Sequence, residues 1–154
     1  MANTYTQIYL QIIFGVKWRQ SLIHDKFREE LHKYITGIVT KRRQKLIAIN
    51  SVSDHLHLLI GFGTNITLSD LVHDIKIASA NFINNKKLLP GRFNWQQGYG
   101  AFSYSRSQLD QVVKYIQNQQ KHHKKKTFKE EYIEFLKRYE INYNPRYLFD
   151  WPED

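Results

Sequence analysis

The chain has 154 residues, no cysteine and a formal charge of +9, from 23 Lys and Arg against 14 Asp and Glu. That length suffices for one domain with its own core, the missing thiols exclude disulfides and thiolate metal centres, and no apolar run is long enough to span a bilayer. The cationic excess with 14% aromatic residues fits a polyanion such as nucleic acid, and without a signal-like segment a cytoplasmic protein with no membrane partner is expected.

Thr4 to Phe14 alternates, with Thr6, Ile8, Leu10, Ile12 and Phe14 on one face and Tyr5, Gln7, Tyr9 and Gln11 on the other, which predicts a central strand. Gly15 to Gln20 reads as a basic loop. From Asp25 the spacing becomes Phe27, Leu31, Tyr34, Ile35, Ile38, Val39, an amphipathic helix closing in Lys41-Arg42-Arg43, where cations suit the negative end of the dipole. Leu46 to Asn50 predicts a second strand, paired through a short connection in an antiparallel hairpin with Asp54-His55-Leu56-His57-Leu58-Leu59-Ile60. Thr67 and Asp70 resemble a capping box opening a helix with Leu71, Val72, Ile75, Ala78 and Phe82 on its buried stripe.

Pro90-Gly91 marks a loop, and Trp95 to Gly100 leads into a last short strand, Ala101 to Tyr104. Ser107 is the expected cap of a helix whose Leu109, Val112, Val113 and Ile116 face the core, with Tyr115 and Gln119 on its shoulder. After the basic run Lys121 to Lys126, Thr127 and Glu130 form a capping box for a final helix with Phe128, Tyr132, Phe135, Leu136 and Tyr139 on its stripe. The tail from Asn142, with Pro145, Trp151 and Pro152, lacks a helical period and is expected as an extended arm.

This order predicts an α+β, ferredoxin-like or RRM-like fold: a four-stranded antiparallel sheet with helices on one face, plus C-terminal catalytic and accessory helices. The whole chain, residues 1–154, reads as a single domain, divisible into a core at 1–126 and a C-terminal helix and tail at 127–154. The fold alone is silent on chemistry.

Side chains alternate across a strand, so His55 and His57 project on one side and Leu56, Leu58 and Ile60 on the other. Two adjacent imidazoles are half of a metal site, although such pairs are also common as structural residues. The best source of the other half is Tyr115 and Gln119, one helical turn apart and followed by a Lys/His cluster; a mid-helix tyrosine by itself is ordinary packing.

Together, Asp54 to Ile60, Trp95-Gln96-Gln97-Gly98-Tyr99, Tyr115-Ile116-Gln117-Asn118-Gln119 and His122-His123 resemble the single-tyrosine HUH transposases. These are the small transposases of insertion sequences that move as single strands, with relatives associated with palindromic repeats. The resemblance implies that His55 and His57 are metal ligands, Gln119 a third ligand and Tyr115 the nucleophile. It also implies a covalent 5′-phosphotyrosine intermediate, hairpin-bearing single-stranded DNA as partner, and a homodimer. Mg²⁺ or Mn²⁺ suits a site of neutral imidazole and amide donors that must take a phosphate as a further ligand.

No side chain is clearly placed as general base. Lys17, Trp18, Arg19, Lys41, Arg42, Arg43, Lys45, Lys86, Lys87 and Arg92, with His122 and Lys124, are candidates for gripping DNA; individually each also reads as solvated cationic surface. Rival readings are another HUH nicking endonuclease, an HUH-derived hairpin-binding or repeat-binding protein without transposition, and a metal-dependent hydrolase that uses water.

Overall fold

The computed structural model describes residues 3–148; Trp151 and Pro152 of the expected arm lie outside them. Strands β1 (Tyr9–Gly15), β2 (Lys45–Ser51), β3 (His55–Gly61) and β4 (Gly100–Tyr104) form one antiparallel sheet in the order β2-β3-β1-β4, so β1 and β3 are central. Between them run α1 (Asp25–Lys41) and α2 (Leu68–Asn85), and after β4 come α3 (Leu109–Gln117), α4 (Gln119–Lys125) and α5 (Phe128–Arg138). This is the expected α+β arrangement. No helix among the described residues is long and apolar enough to cross a membrane.

The sheet is covered on both faces. On one, Ile12, Phe14, Leu56, Leu58 and Ile60 meet Leu31, Ile35, Val39, Leu71, Val72 and Ile75 of α1 and α2. Each such side chain fully withdrawn from water contributes roughly 1.5–3 kcal/mol. On the other, Ile13 and Phe102 pack against Phe128, Phe135 and Leu136 of α5, while Ala48 and Leu59 pack against Val112 and Ile116 of α3. The 1–126 and 127–154 segments are thus one packed body where they are described.

Several boundaries differ from the sequence reading for identifiable reasons. β1 starts at Tyr9 rather than Thr4, because its partners end there: Tyr9 sits opposite Gly61 on β3 and Tyr104 on β4, and residues before it have no strand beside them in those ladders. Ser105, not Ser107, opens the α3 region, since a 3₁₀ turn at Arg106–Gln108 precedes the helix and Gln108 Oε1 accepts from the Ser105 backbone N–H at 2.9 Å. In α2 the buried place expected for Ala78 belongs to Ser79, whose Oγ donates to the Ile75 carbonyl and accepts from Trp95 Nε1 at 2.9 Å.

The tyrosine helix is also broken. At Asn118 (φ −96°, ψ 17°) α3 stops and α4 starts. The carbonyls of Ile116 and Gln117, left at the break, accept from the Asn50 side chain of β2 at 2.8 and 3.2 Å. Freed helix carbonyls need such donors, and here they tie the tyrosine helix to the sheet.

Candidate active site

His55 and His57 stand on the central strand β3, at 1% and 0% exposure. Their Nδ1 atoms are both engaged. Asp54 Oδ1, acceptor only when ionised, takes the His55 Nδ1–H at 2.7 Å. Gln11 Oε1 takes the His57 Nδ1–H at 2.7 Å, its orientation fixed because Gln11 Nε2 donates to the Tyr104 hydroxyl at 2.8 Å. Each imidazole therefore turns Nε2 inward, the tautomer in which an outer acceptor prepares histidine as a metal ligand.

Both Nε2 atoms face one oxygen. Glu131 Oε1, from α5, lies 3.1 Å from each. The other carboxylate oxygen accepts hydrogen bonds from the Tyr115 hydroxyl and, at 3.2 Å, from Gln119 Nε2. A single buried carboxylate thus joins the histidine pair of β3 to the tyrosine of α3 and the amide of α4. Gln119, expected on the helix shoulder, is fully buried at the start of α4, where the next residue, Gln120, is tied to Asn50 and Ser51 of β2.

Aromatic contacts fix these groups. Phe128 lies parallel to His55, ring centroids 4.3 Å apart, and His122 stacks on Tyr115 at 4.8 Å. Beside Tyr115 opens a cavity of about 410 Å³ whose wall includes Gln111, Tyr115, His122, Lys125 and Arg138. A cleft with cations at its rim beside a phenol is accessible to an anionic chain.

Burial and charge set the proton affinities. Burial lowers that of His55, but hydrogen bonding to Asp54 and the Glu131 carboxylate outweighs it and raises the ring to about 9. His57, wholly buried, is held below its ordinary value. Glu131 would be raised by burial, yet the imidazoles bring it well below the usual carboxylate range. Tyr115 is pushed above the ordinary phenol value by burial and by the Glu131 charge.

The residues fit a divalent cation. His55, His57 and Glu131 offer donor atoms all within 4.8 Å of one another, and Asp54, His55 and His123 form a second, overlapping group. His55 Nε2 and Gln119 Oε1 are buried polar atoms without a hydrogen bond of acceptable geometry among the described residues, the situation a buried ligand atom presents to an ion.

Of the candidate DNA contacts, His122 is brought to Tyr115, whereas Lys124 is exposed on α4. Lys17, Trp18 and Arg19 form a 3₁₀ turn after β1, with Trp18 and Arg19 at positive φ. Arg42 pairs with Asp74 at 2.8 Å and Lys86 with Glu30 at 2.7 Å, both in the helix layer across the sheet from the imidazoles. Arg43 and Lys87 take positive φ just after α1 and α2, and Arg92 lines a separate groove with Asn81, Asn84 and Gln97. These cations do not converge on the histidine pair.

Three residues of the site were not singled out by the sequence reading. The alternation places Gln11 only on a polar strand face, although an amide on a central strand is buried on either side and needs a partner. Phe128 and Glu131 belong to a helix read as accessory; a glutamate between the stripe residues Phe128 and Tyr132 was the available signal.

The family model for IS200-like transposases matches residues 4–119. The chain is 25% identical over 118 residues to the ISDra2 transposase TnpA of Deinococcus radiodurans, a match covering 73% of this chain and 84% of that one. Its fold is similar to the crystal structure of a transposase-like protein from Deinococcus radiodurans, with a TM-score of 0.63 at 24% identity, covering 77% of this chain and 95% of the other. A REP-associated tyrosine transposase bound to a REP hairpin gives a TM-score of 0.59 at 15% identity, with coverage of 80% and 73%. With three quarters of its length matched, from before β1 to the first residue of α4, the chain belongs to the IS200-like transposase family.

Proposed function

We propose that this transposase cleaves and rejoins single-stranded DNA at hairpin-bearing ends, with Tyr115 as nucleophile and His55, His57 and Gln119 as the metal-binding side chains. The observation that carries the reading is the meeting of the Tyr115 hydroxyl and both histidine Nε2 atoms on one carboxylate, within the span of a single phosphodiester. A divalent cation, Mg²⁺ or Mn²⁺, when bound supplies Lewis acidity and orients the scissile phosphate.

The protein's own groups do the rest. Asp54 and Gln11 hold the imidazoles in the ligating tautomer. Tyr115 Oη bonds to phosphorus as the P–O3′ bond breaks, and the proton lost by the phenol is balanced by the one the departing 3′-oxygen gains to become a 3′-hydroxyl, with the Glu131 carboxylate orienting the phenol through its hydrogen bond. The 5′-phosphotyrosine retains the ester energy, so a 3′-hydroxyl can reverse the step onto a new strand. Lys125 and Arg138 at the cavity rim, and the stacked His122, supply contacts for the strand. The net charge and the hairpin-bound relative of the same fold support a hairpin as the recognised shape.

The test is incubation of end-labelled, hairpin-bearing single-stranded DNA with the protein and Mn²⁺. A protein–DNA adduct resistant to denaturation is expected from the wild type and absent from Tyr115→Phe. Adduct formation by Tyr115→Phe would refute the assignment.

A further inference from the structure

We infer that Glu131, delivered by α5, is itself a ligand of the divalent cation, so that the centre is a His55–His57–Glu131 site with Gln119 at its side. The inference rests on the metal-dependent reading above and adds to it a ligand from outside the segment that the family model matches, residues 4–119.

Donor spacing is the first argument. Glu131 Oε1 is 3.1 Å from both His55 Nε2 and His57 Nε2. Ligands on neighbouring corners of an octahedron, with bonds of about 2.1 Å, stand about 3 Å apart. The second argument is the hydrogen-bond inventory. Asp54 and Gln11 accept from the Nδ1 atoms of the two imidazoles, which leaves both Nε2 atoms directed at Glu131 Oε1. His57 Nε2 hydrogen-bonds to Oε1 at 3.1 Å, whereas His55 Nε2, at the same distance, is buried with no hydrogen bond of acceptable geometry, and one cation would satisfy both nitrogens and the carboxylate together.

The carboxylate's two oxygens also divide the work. Oε2 is held by the Tyr115 hydroxyl and Gln119 Nε2, which leaves Oε1 aimed at the imidazoles. One carboxylate against a +2 ion leaves a net positive site, which still attracts a phosphodiester. Tyr115 is then positioned through a group bonded to the cation, so nucleophile and ion keep a fixed relation. The opposing account of the same contacts is that Glu131 occupies the place of the scissile phosphate as a plug.

Mn²⁺ titration calorimetry on the full chain without DNA separates the two. Wild type, Glu131→Gln, Glu131→Ala, His57→Ala and the surface variant Glu134→Gln are compared, each with a thermal melt in EDTA to verify folding. Glu131→Gln keeps the shape and polar partners of the side chain, so a detached α5 does not account for its result. The expected outcome is Mn²⁺ binding weakened at least about tenfold by Glu131→Gln and more by Glu131→Ala, with Glu134→Gln unchanged. Unchanged or tighter Mn²⁺ binding by Glu131→Gln, with faster adduct formation, would overturn the inference and identify a plug. Failure of the underlying reading looks different: wild type would bind no Mn²⁺, or His57→Ala would bind it as well as wild type.

Discussion

The ring of Phe128 lies flat on the ring of His55, planes 9° from parallel and centroids 4.3 Å apart. Gly15, opposite His55 in the β1–β3 register, makes room for it, since a Cβ there would stand 2.5 Å from Phe128 Cε2. A strand in the middle of the sheet cannot recede, so Gly15→Ala must push the ring and α5 outward. Expected is a loss of roughly 1–3 kcal/mol in urea melts, with weaker Mn²⁺ binding as Glu131 is displaced. Phe128→Leu added to Gly15→Ala should recover part of the stability.

Gln11 sets the tautomer of His57 without touching any other proposed ligand. Gln11→Leu keeps the volume roughly constant and leaves the His57 Nδ1 without its acceptor. Calorimetry should give roughly 10–100-fold weaker Mn²⁺ binding, and denaturation about 1–3 kcal/mol lower stability. Unaltered metal affinity would mean that the amide is packing alone.

Stability of the metal-free protein should fall on both sides of about pH 6.5, because its histidines pull in opposite directions. Burial, followed by the Arg28 charge, lowers His32 to about 4. Its contribution is present above the unfolded value near 6.5 and is lost as pH falls towards 4. His55, raised to about 9, contributes below 6.5 and loses that contribution as pH rises through 9. The alkaline loss is on the order of 3 kcal/mol. Urea melts in EDTA across this range read both limbs, and His32→Asn should make only the acid one shallower, the remainder of that limb belonging to His57 and Glu131, which are also held below their ordinary values.

His55, His57, Tyr115, Gln119 and Glu131 meet within one chain. The homodimer implied by the family resemblance is therefore not required to assemble the site. An equimolar mixture of His57→Ala and Tyr115→Phe should form no more adduct than either alone. Recovery of about a quarter to a half of wild-type activity would show that tyrosine helices are exchanged between subunits.

The sheet and helices were legible because each carries its own period: alternation in β1 and β3, and apolar stripes in α1 and α2. His55 and His57 were legible for the same reason, as two polar residues interrupting a strand that is otherwise apolar. The break at Asn118 was not, since it depends on Asn50, which meets it only after β2 has paired with β3. Glu131 was hidden likewise: at its position in a helix a glutamate ordinarily faces water, and only the docking of Phe128 on His55 turns it inward. Arg42 and Lys86 find carboxylates on neighbouring helices, pairings that composition does not reveal.

The central claim is that the Tyr115 phenol becomes bonded to DNA. Mass spectrometry of the nuclease-trimmed, proteolysed adduct addresses it directly. The account predicts a nucleotide joined through its 5′-phosphate to the peptide carrying Tyr115. A strand cut to a free 5′-phosphate, with no peptide bearing a nucleotide, would contradict it.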